Sequence, residues 1–185
     1  YTSHLWVTGK DDISVECSFT VAKGESSNQA EQIISSLKVR GSKEKPWNEV
    51  IPVRVLEVNM INEYFDWAVS NIKKQLTKDF TSSAADIANI QKVMDSGKFN
   101  NNQRQAWESF GVAFGAILVN EMDGMDWVTV IEGKNEFPAL KFADTDVMVY
   151  PLQLVWGRVK NGKSCSLKAE FDKIKAEVEN ALSAN

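Results

Sequence analysis

Gly111 and Gly115 stand one helical turn apart in GVAFGAILVN, the core of the longest apolar run in the chain. Inside a helix each glycine costs about 1 kcal/mol against alanine, so packing must return the loss. Trp107, Phe110, Phe114 and Ile117 recur at spacings of three and four and form an apolar stripe. Trp107, Gly111 and Gly115 lie on one i, i+4 ridge beside it. A ridge stripped of Cβ on two successive turns admits another backbone or a flat aromatic ring at close range. The dispersion contacts and buried area gained there offset the propensity cost. The alternative use of a bare face is a ligand groove along the glycines.

The elements around this helix follow from periodicity. In ISVECSFTV, Ile13, Val15, Cys17, Phe19 and Val21 alternate with polar residues, the period of a half-buried strand. HLWVT precedes it across GKDD, so residues 4–21 read as an antiparallel hairpin. Residues 26–38 read as a helix with Ala30, Ile33, Ile34 and Leu37 on one face and a capping box from Ser26 to Gln29. Residues 39–53, with Gly41, Pro46 and Pro52 amid charge, read as a linker. Ile61, Phe65, Ala68, Ile72 and Leu76 place a long helix over residues 54–79. Ser83 and Asp86 open a second helix that Gly97 ends, and Asn100 to Asn102 cap the glycine helix. DWVTVI, FPALKF and DVMVY are short strands joined by EGKNE and ADTD, spacing that permits only antiparallel hairpins. Pro138 suits an edge position. Pro151 opens a helix that Asn161 and Gly162 stop. A last helix from about Ser166 carries Leu167, Phe171, Ile174, Val178 and Leu182 on one face.

The expected fold is therefore α+β. A helical layer from residues 54–120 packs on a three-stranded antiparallel meander, and two C-terminal helices complete the core. The organisation is a hairpin–helix unit over residues 1–38, a linker over 39–53 and a domain over 54–185. The N-terminal unit is too small to hold a core alone, so it docks on the rest or continues a domain upstream.

The motifs GVAFG, GMDWVTV, FPALKF, TDVMVYPL and GRV occur in that order between Trp107 and Lys160. In this order they resemble a bacterial domain family of unknown function, and with the flanking helices the resemblance extends over residues 54–185. It implies a fold and no activity. The family pattern has an acidic residue just after the second glycine, where this chain has Ala116. Residues 1–40 lie outside it and are similar to the closing segment of small α+β modules in envelope and secretion-associated proteins.

Composition narrows the function. A net charge of −4 argues against nucleic acid and is compatible with a basic protein partner. No apolar run reaches the roughly 20 residues that span a bilayer. The first residue is Tyr1, which favours a removed leader and the periplasm over the cytoplasm. Two cysteines, Cys17 and Cys165, do not make a disulfide framework; two separate buried thiols are expected, with a single bridge between them as the alternative. His4 is the one histidine, so a zinc site is nearly excluded, and a histidine-based triad would rest on that residue alone. No phosphate loop, dinucleotide fingerprint or nucleophile elbow is present. No cofactor or metal is expected.

The carboxylates remain. EMDGMD places Glu121, Asp123 and Asp126 around a helix end and a glycine turn, and ADTD supplies Asp144 and Asp146. Two such turns facing one another would form an acidic contact face, or an acid–base or cation site. Trp67, Trp107, Trp127 and Trp156 fall in periodic elements and are assigned to the core, whereas Trp47 lies in the linker as a dock or a contact anchor. Arg158, at a helix C-terminus, complements the dipole or serves as a contact. The expected function is a non-catalytic protein-binding module, in its most concrete form a bacterial immunity protein that neutralises a secreted toxin. The binding residues would be Glu121, Asp123, Asp126, Asp144, Asp146, Arg158 and Trp47. The alternatives are a small-ligand or envelope-maintenance role and a hydrolase using Asp123, Asp126 or Asp146.

Overall fold

A computed structural model describes residues 1–10, 13–37 and 48–183. Trp47 and most of the expected linker lie outside the described residues. The chain divides into two compact units, residues 1–47 and 48–185.

In the first unit, β1 (Thr2–Lys10) and β2 (Ile13–Val21) form an antiparallel hairpin with Thr2 opposite Val21 and Lys10 opposite Ile13. Opposed residues share a face, so His4 with Phe19 and Trp6 with Cys17 make the half-buried side. His4 stacks on Trp6 at 5.6 Å between ring centroids. Helix α1 (Asn28–Ser36) follows. The expected capping box does not form: the N-cap is Ser27, and Ser26 Oγ accepts the Asn28 amide at 3.2 Å. Only Ala30 of the expected apolar face is fully buried.

The second unit runs β3 (Asn48–Pro52), α2 (Val55–Leu76), α3 (Asp86–Met94), α4 (Arg104–Glu121), β4 (Met125–Glu132), β5 (Asn135–Phe142), β6 (Met148–Val149), α5 (Pro151–Val159) and α6 (Leu167–Ser183). Its sheet is antiparallel in the order β3-β4-β5-β6. The sheet thus has four strands where three were expected, because residues 48–52, assigned to the linker, pair with β4. Val50 lies opposite Val130 and Pro52 opposite Val128. The strand tolerates Pro52 because it is the sheet's outer edge. β6 is shorter than expected and covers only Leu140 and Lys141, so β5 is open at Glu136–Pro138. That open stretch accommodates Pro138.

Helix α4 is buried on nearly every side, as a helix apolar all round must be. It packs against α2, α3 and α5 and meets β4 at its end. Phe110, Phe114, Ile117 and Leu118 are fully enclosed. Of the four tryptophans assigned to the core, Trp107 is buried and Trp67, Trp127 and Trp156 pack on the core half-buried. The α4 N-cap is Gln103, whose side chain caps no helix amide and instead accepts the Asn100 amide at 2.7 Å, while the Asn100 carbonyl accepts the Trp107 indole N–H at 2.9 Å. Pro151 is the first residue of α5, as expected. Leu167, Phe171, Ile174 and Val178 are the buried face of α6, and Leu182 is exposed.

Candidate functional site

The glycine face is filled, which excludes the ligand groove considered for it. A Cβ on Gly111 would meet the Pro151 carbonyl carbon at 2.8 Å and Leu152 Cα at 3.0 Å. A Cβ on Gly115 would meet the Trp127 ring at 2.8 Å. One glycine admits a backbone and the other a flat ring, so α4 seats the start of α5 and the β4 tryptophan.

The two acidic turns abut at one end of the sheet. The first, Met122 to Gly124, leads into β4, and Met125 N–H donates to the Met122 carbonyl at 2.9 Å. The second joins β5 to β6. Ala143 N–H donates to the Gly124 carbonyl at 2.8 Å and stitches the turns together. Thr145 Oγ1 holds the second turn, donating to the Phe142 carbonyl at 2.6 Å and accepting the Val147 amide at 3.2 Å. The backbone of this turn is held by Thr145 and not by Asp146. Asp123, Asp126, Asp144 and Asp146 are exposed, and among the described residues none is engaged by a hydrogen bond or ion pair. Asp126 stands across the strand pair from Lys141. No group of three histidine, cysteine or acidic side chains that could hold a metal occurs among the described residues.

Glu121 differs from these four. Its Oε1 accepts the Ala84 amide at 2.8 Å, just ahead of α3. A carboxylate there complements the helix dipole, so Glu121 ties the end of α4 to the start of α3. Asp86 completes the same junction. It is buried, and it accepts the Thr81 amide at 2.7 Å, the Thr81 hydroxyl at 2.8 Å and the Asn89 amide at 2.9 Å. Burial raises its pKa, but the Thr81 amide, Asn89, the Thr81 hydroxyl and the Ser83 amide together outweigh burial and hold it below the usual carboxylate value.

Arg158 is a fastener within the fold. Its Nη2 bonds Glu170 Oε1 at 2.6 Å, joining α5 to α6 over the buried Cys165. Burial would lower the Arg158 pKa, but the bond to Glu170 reverses this and the net shift is upward. Burial pushes the Cys165 thiol up despite the neighbouring guanidinium, which disfavours the nucleophilic thiolate. Both cysteines are free, Cys17 half-buried and Cys165 buried.

One group of residues has no place among the sequence expectations. Tyr64 of α2, Arg104 and Glu108 of α4, Phe137 of β5 and Gln153 of α5 line a cleft of about 450 Å³. Glu108 is only 7% exposed. Its Oε1 accepts Arg104 Nε at 2.8 Å. Burial raises the Tyr64 pKa and the Glu108 charge raises it further. The signal was available in the sequence: Glu108 sits among apolar residues in the middle of the most apolar helix, where a charge has little solvated face to occupy. Beside the cleft, Arg54 holds both Glu57 and Glu136. The larger hollow, about 730 Å³ between α3 and residues 164–168, has a mostly apolar wall of alanines, Ile87 and Cys165 with Gln91, Asp95, Lys168 and two serines around it. Its Gln91 is already spent on Asp95 and the Leu167 amide.

Residues 1–62 match a family described as Domain of unknown function (DUF3805), and residues 86–171 match a second, Domain of unknown function (DUF3806). The resemblance read from the motifs of the C-terminal part is thus to a domain of unknown function, and the N-terminal part matches another. A crystal structure of a protein from Bacteroides thetaiotaomicron VPI-5482 at 1.50 Å resolution is 41% identical, with a TM-score of 0.77 over 92% of this chain. The chain spans 63% of that protein's length. No curated protein matches. Among the described residues no helix is long and apolar enough to cross a membrane.

Proposed function

We propose that this chain is a non-catalytic protein-binding module whose contact face is the acidic end of the C-terminal sheet. One observation carries the reading. Asp123, Asp144 and Asp146 lie in two turns stitched together by the Ala143–Gly124 hydrogen bond, Asp126 follows at the start of β4, and none of the four is engaged by a hydrogen bond or ion pair among the described residues. Solvated carboxylates gathered this way attract a basic surface and set association rate and specificity. The net charge of −4 adds to that attraction. Their exposure argues against the hydrolase reading, since a general acid or base is tuned by burial or by a close charged neighbour. In its concrete form the module is a bacterial immunity protein, and the partner is a basic secreted toxin.

The test is capture of partners from the native host by the intact chain and by a variant with all four aspartates changed to asparagine. The reading expects one stoichiometric partner, toxic when expressed alone. Its capture should weaken at high salt and be lost in the variant. Glu121→Ala serves as a control that lowers stability and leaves capture intact. A partner held equally by the four-asparagine variant would remove the acidic end from the proposal. No enriched partner in gentle salt would remove the module reading itself.

A further inference from the structure

The cleft around Glu108 has the chemistry of a ligand site. Buried carboxylates are expensive unless charge and hydrogen bonds satisfy them. Glu108 is satisfied on one side only. Arg104 Nε bonds Oε1 at 2.8 Å, and Oε2 has no hydrogen bond among the described residues. The Arg104 side chain is 69% exposed, and its two Nη groups are likewise unengaged among the described residues. An open acceptor and an open fork of donors therefore sit one hydrogen bond apart at the edge of the cleft. Glu136, the other carboxylate of the lining, is already held by Arg54. Phe137, Pro138 and Leu152 supply an apolar wall, and Gln153 stands exposed at the rim.

These features select a ligand. An anion alone leaves Oε2 of Glu108 unpaired, and a cation alone faces Arg104. A molecule with both charges, separated by a single carbon, matches two poles one hydrogen bond apart. A volume of about 450 Å³ falls within the range of small-molecule sites and leaves room for a side chain against the apolar wall. We infer that this cleft binds a free α-amino acid, its ammonium on Glu108, its carboxylate on Arg104 and its side chain on the Phe137–Leu152 wall. The site is distinct from the acidic end. Glu136–Pro138 opens β5, whereas Ala143 follows its close, and Glu108 and Glu121 are 13 residues apart on α4, roughly 20 Å along the helix.

The test screens the full chain against the twenty common L-amino acids by thermal unfolding, with titration calorimetry on the best. That amino acid, at about 100 times its Kd, should raise Tm by roughly 5–10 °C. Its N-acetyl and carboxamide derivatives, each lacking one charge, should bind at least about tenfold more weakly. Glu108→Gln should weaken binding by a similar factor with the circular dichroism unchanged. Gln153→Trp, at an exposed position, should block the mouth and abolish binding. If Glu108→Gln does not fold, the Gln153→Trp result decides. The inference is overturned by no thermal shift with any of the twenty, by equal binding of the blocked derivatives, or by full affinity in Gln153→Trp. The four-asparagine variant should bind the amino acid normally, so this result and that of the protein-partner test stand apart.

Discussion

At the residue scale the glycines of α4 and α5 separate two costs that sequence alone merges. Gly111 and Gly157 are both helical, so alanine at either gains up to about 1 kcal/mol of propensity. At Gly157 no atom lies within 4 Å of the added Cβ, so the gain is realised. Gly157→Ala is expected to stabilise by about 0.5–1 kcal/mol. At Gly111 the Cβ meets backbone atoms of Pro151 and Leu152, which cannot swing aside as a side-chain end would. Overpacking there outweighs the propensity gain, and Gly111→Ala should destabilise by about 1–3 kcal/mol, lowering Tm by roughly 3–10 °C. Thermal denaturation of the two variants checks the sign of each. A stabilised Gly111→Ala would mean that α5 does not lie against α4 as described. This contact was half legible beforehand. The spacing of Gly111 and Gly115 announced close packing, but the partner, Pro151 and Trp127, lay in distant segments whose approach no local pattern encodes. Glu108 was legible in principle, since helix α4 has little solvated face to hold it.

At the element scale the start of α3 rests on two carboxylates. Ser83 and Asp86 stand at capping-box spacing, but the helix starts at Asp86, its N-cap Ala85 makes no side-chain cap bond and Ser83 Oγ pairs with Thr81 Oγ1 at 2.9 Å. Of the box, only the reach of Asp86 back to the Ser83 amide is formed. Its bonds to Thr81 and the Glu121 bond to Ala84 come from outside the helix. The pH dependence follows from the direction of the Asp86 shift. Its folded pKa lies below its unfolded value of about 3.9. The stability it contributes is therefore complete above about pH 5 and is lost as pH falls through the folded value. Asp86→Asn should destabilise by about 1–2 kcal/mol at neutral pH, the scale of a lost cap. It should also flatten the acid limb of a stability–pH curve measured by urea unfolding. An acid limb unchanged in Asp86→Asn would place the titrating group elsewhere, Glu57 beside Arg54 being the next candidate. β3 is the element that local patterns concealed. NEVIP is five residues long, carries a proline and follows a charged stretch, all features of a linker. Its strand character comes from pairing with β4. A strand that short draws more from cross-strand neighbours than from its own propensity.

At the scale of the whole molecule, two boundaries compete. The division into compact units falls between residues 47 and 48, whereas the match to the N-terminal family extends to residue 62. Residues 48–62 include β3 and the first turns of α2. Their packing assigns them to the C-terminal unit: β3 pairs with β4, and Ile61 packs with Val112 and Leu152 in a cluster that Val53 and Met60 border. A fragment of residues 48–185 keeps all of this and should unfold cooperatively with a Tm within a few degrees of the C-terminal transition in the full chain. A fragment of residues 63–185 begins inside α2, removes β3 from one side of β4 and opens the cluster against Val112. It should lose at least about 10 °C or aggregate through the bared strand edge. The described residues of the 1–47 unit form a two-stranded hairpin and one short helix, and of those whose burial is described only Val21 and Ala30 are buried. A piece of that size cannot bury enough apolar surface to offset its chain entropy, so in isolation it should show no cooperative transition by circular dichroism. Equal stability of the 63–185 and 48–185 fragments would transfer β3 to the N-terminal unit. A cooperative transition in residues 1–47 would show that the hairpin and helix hold a core of their own.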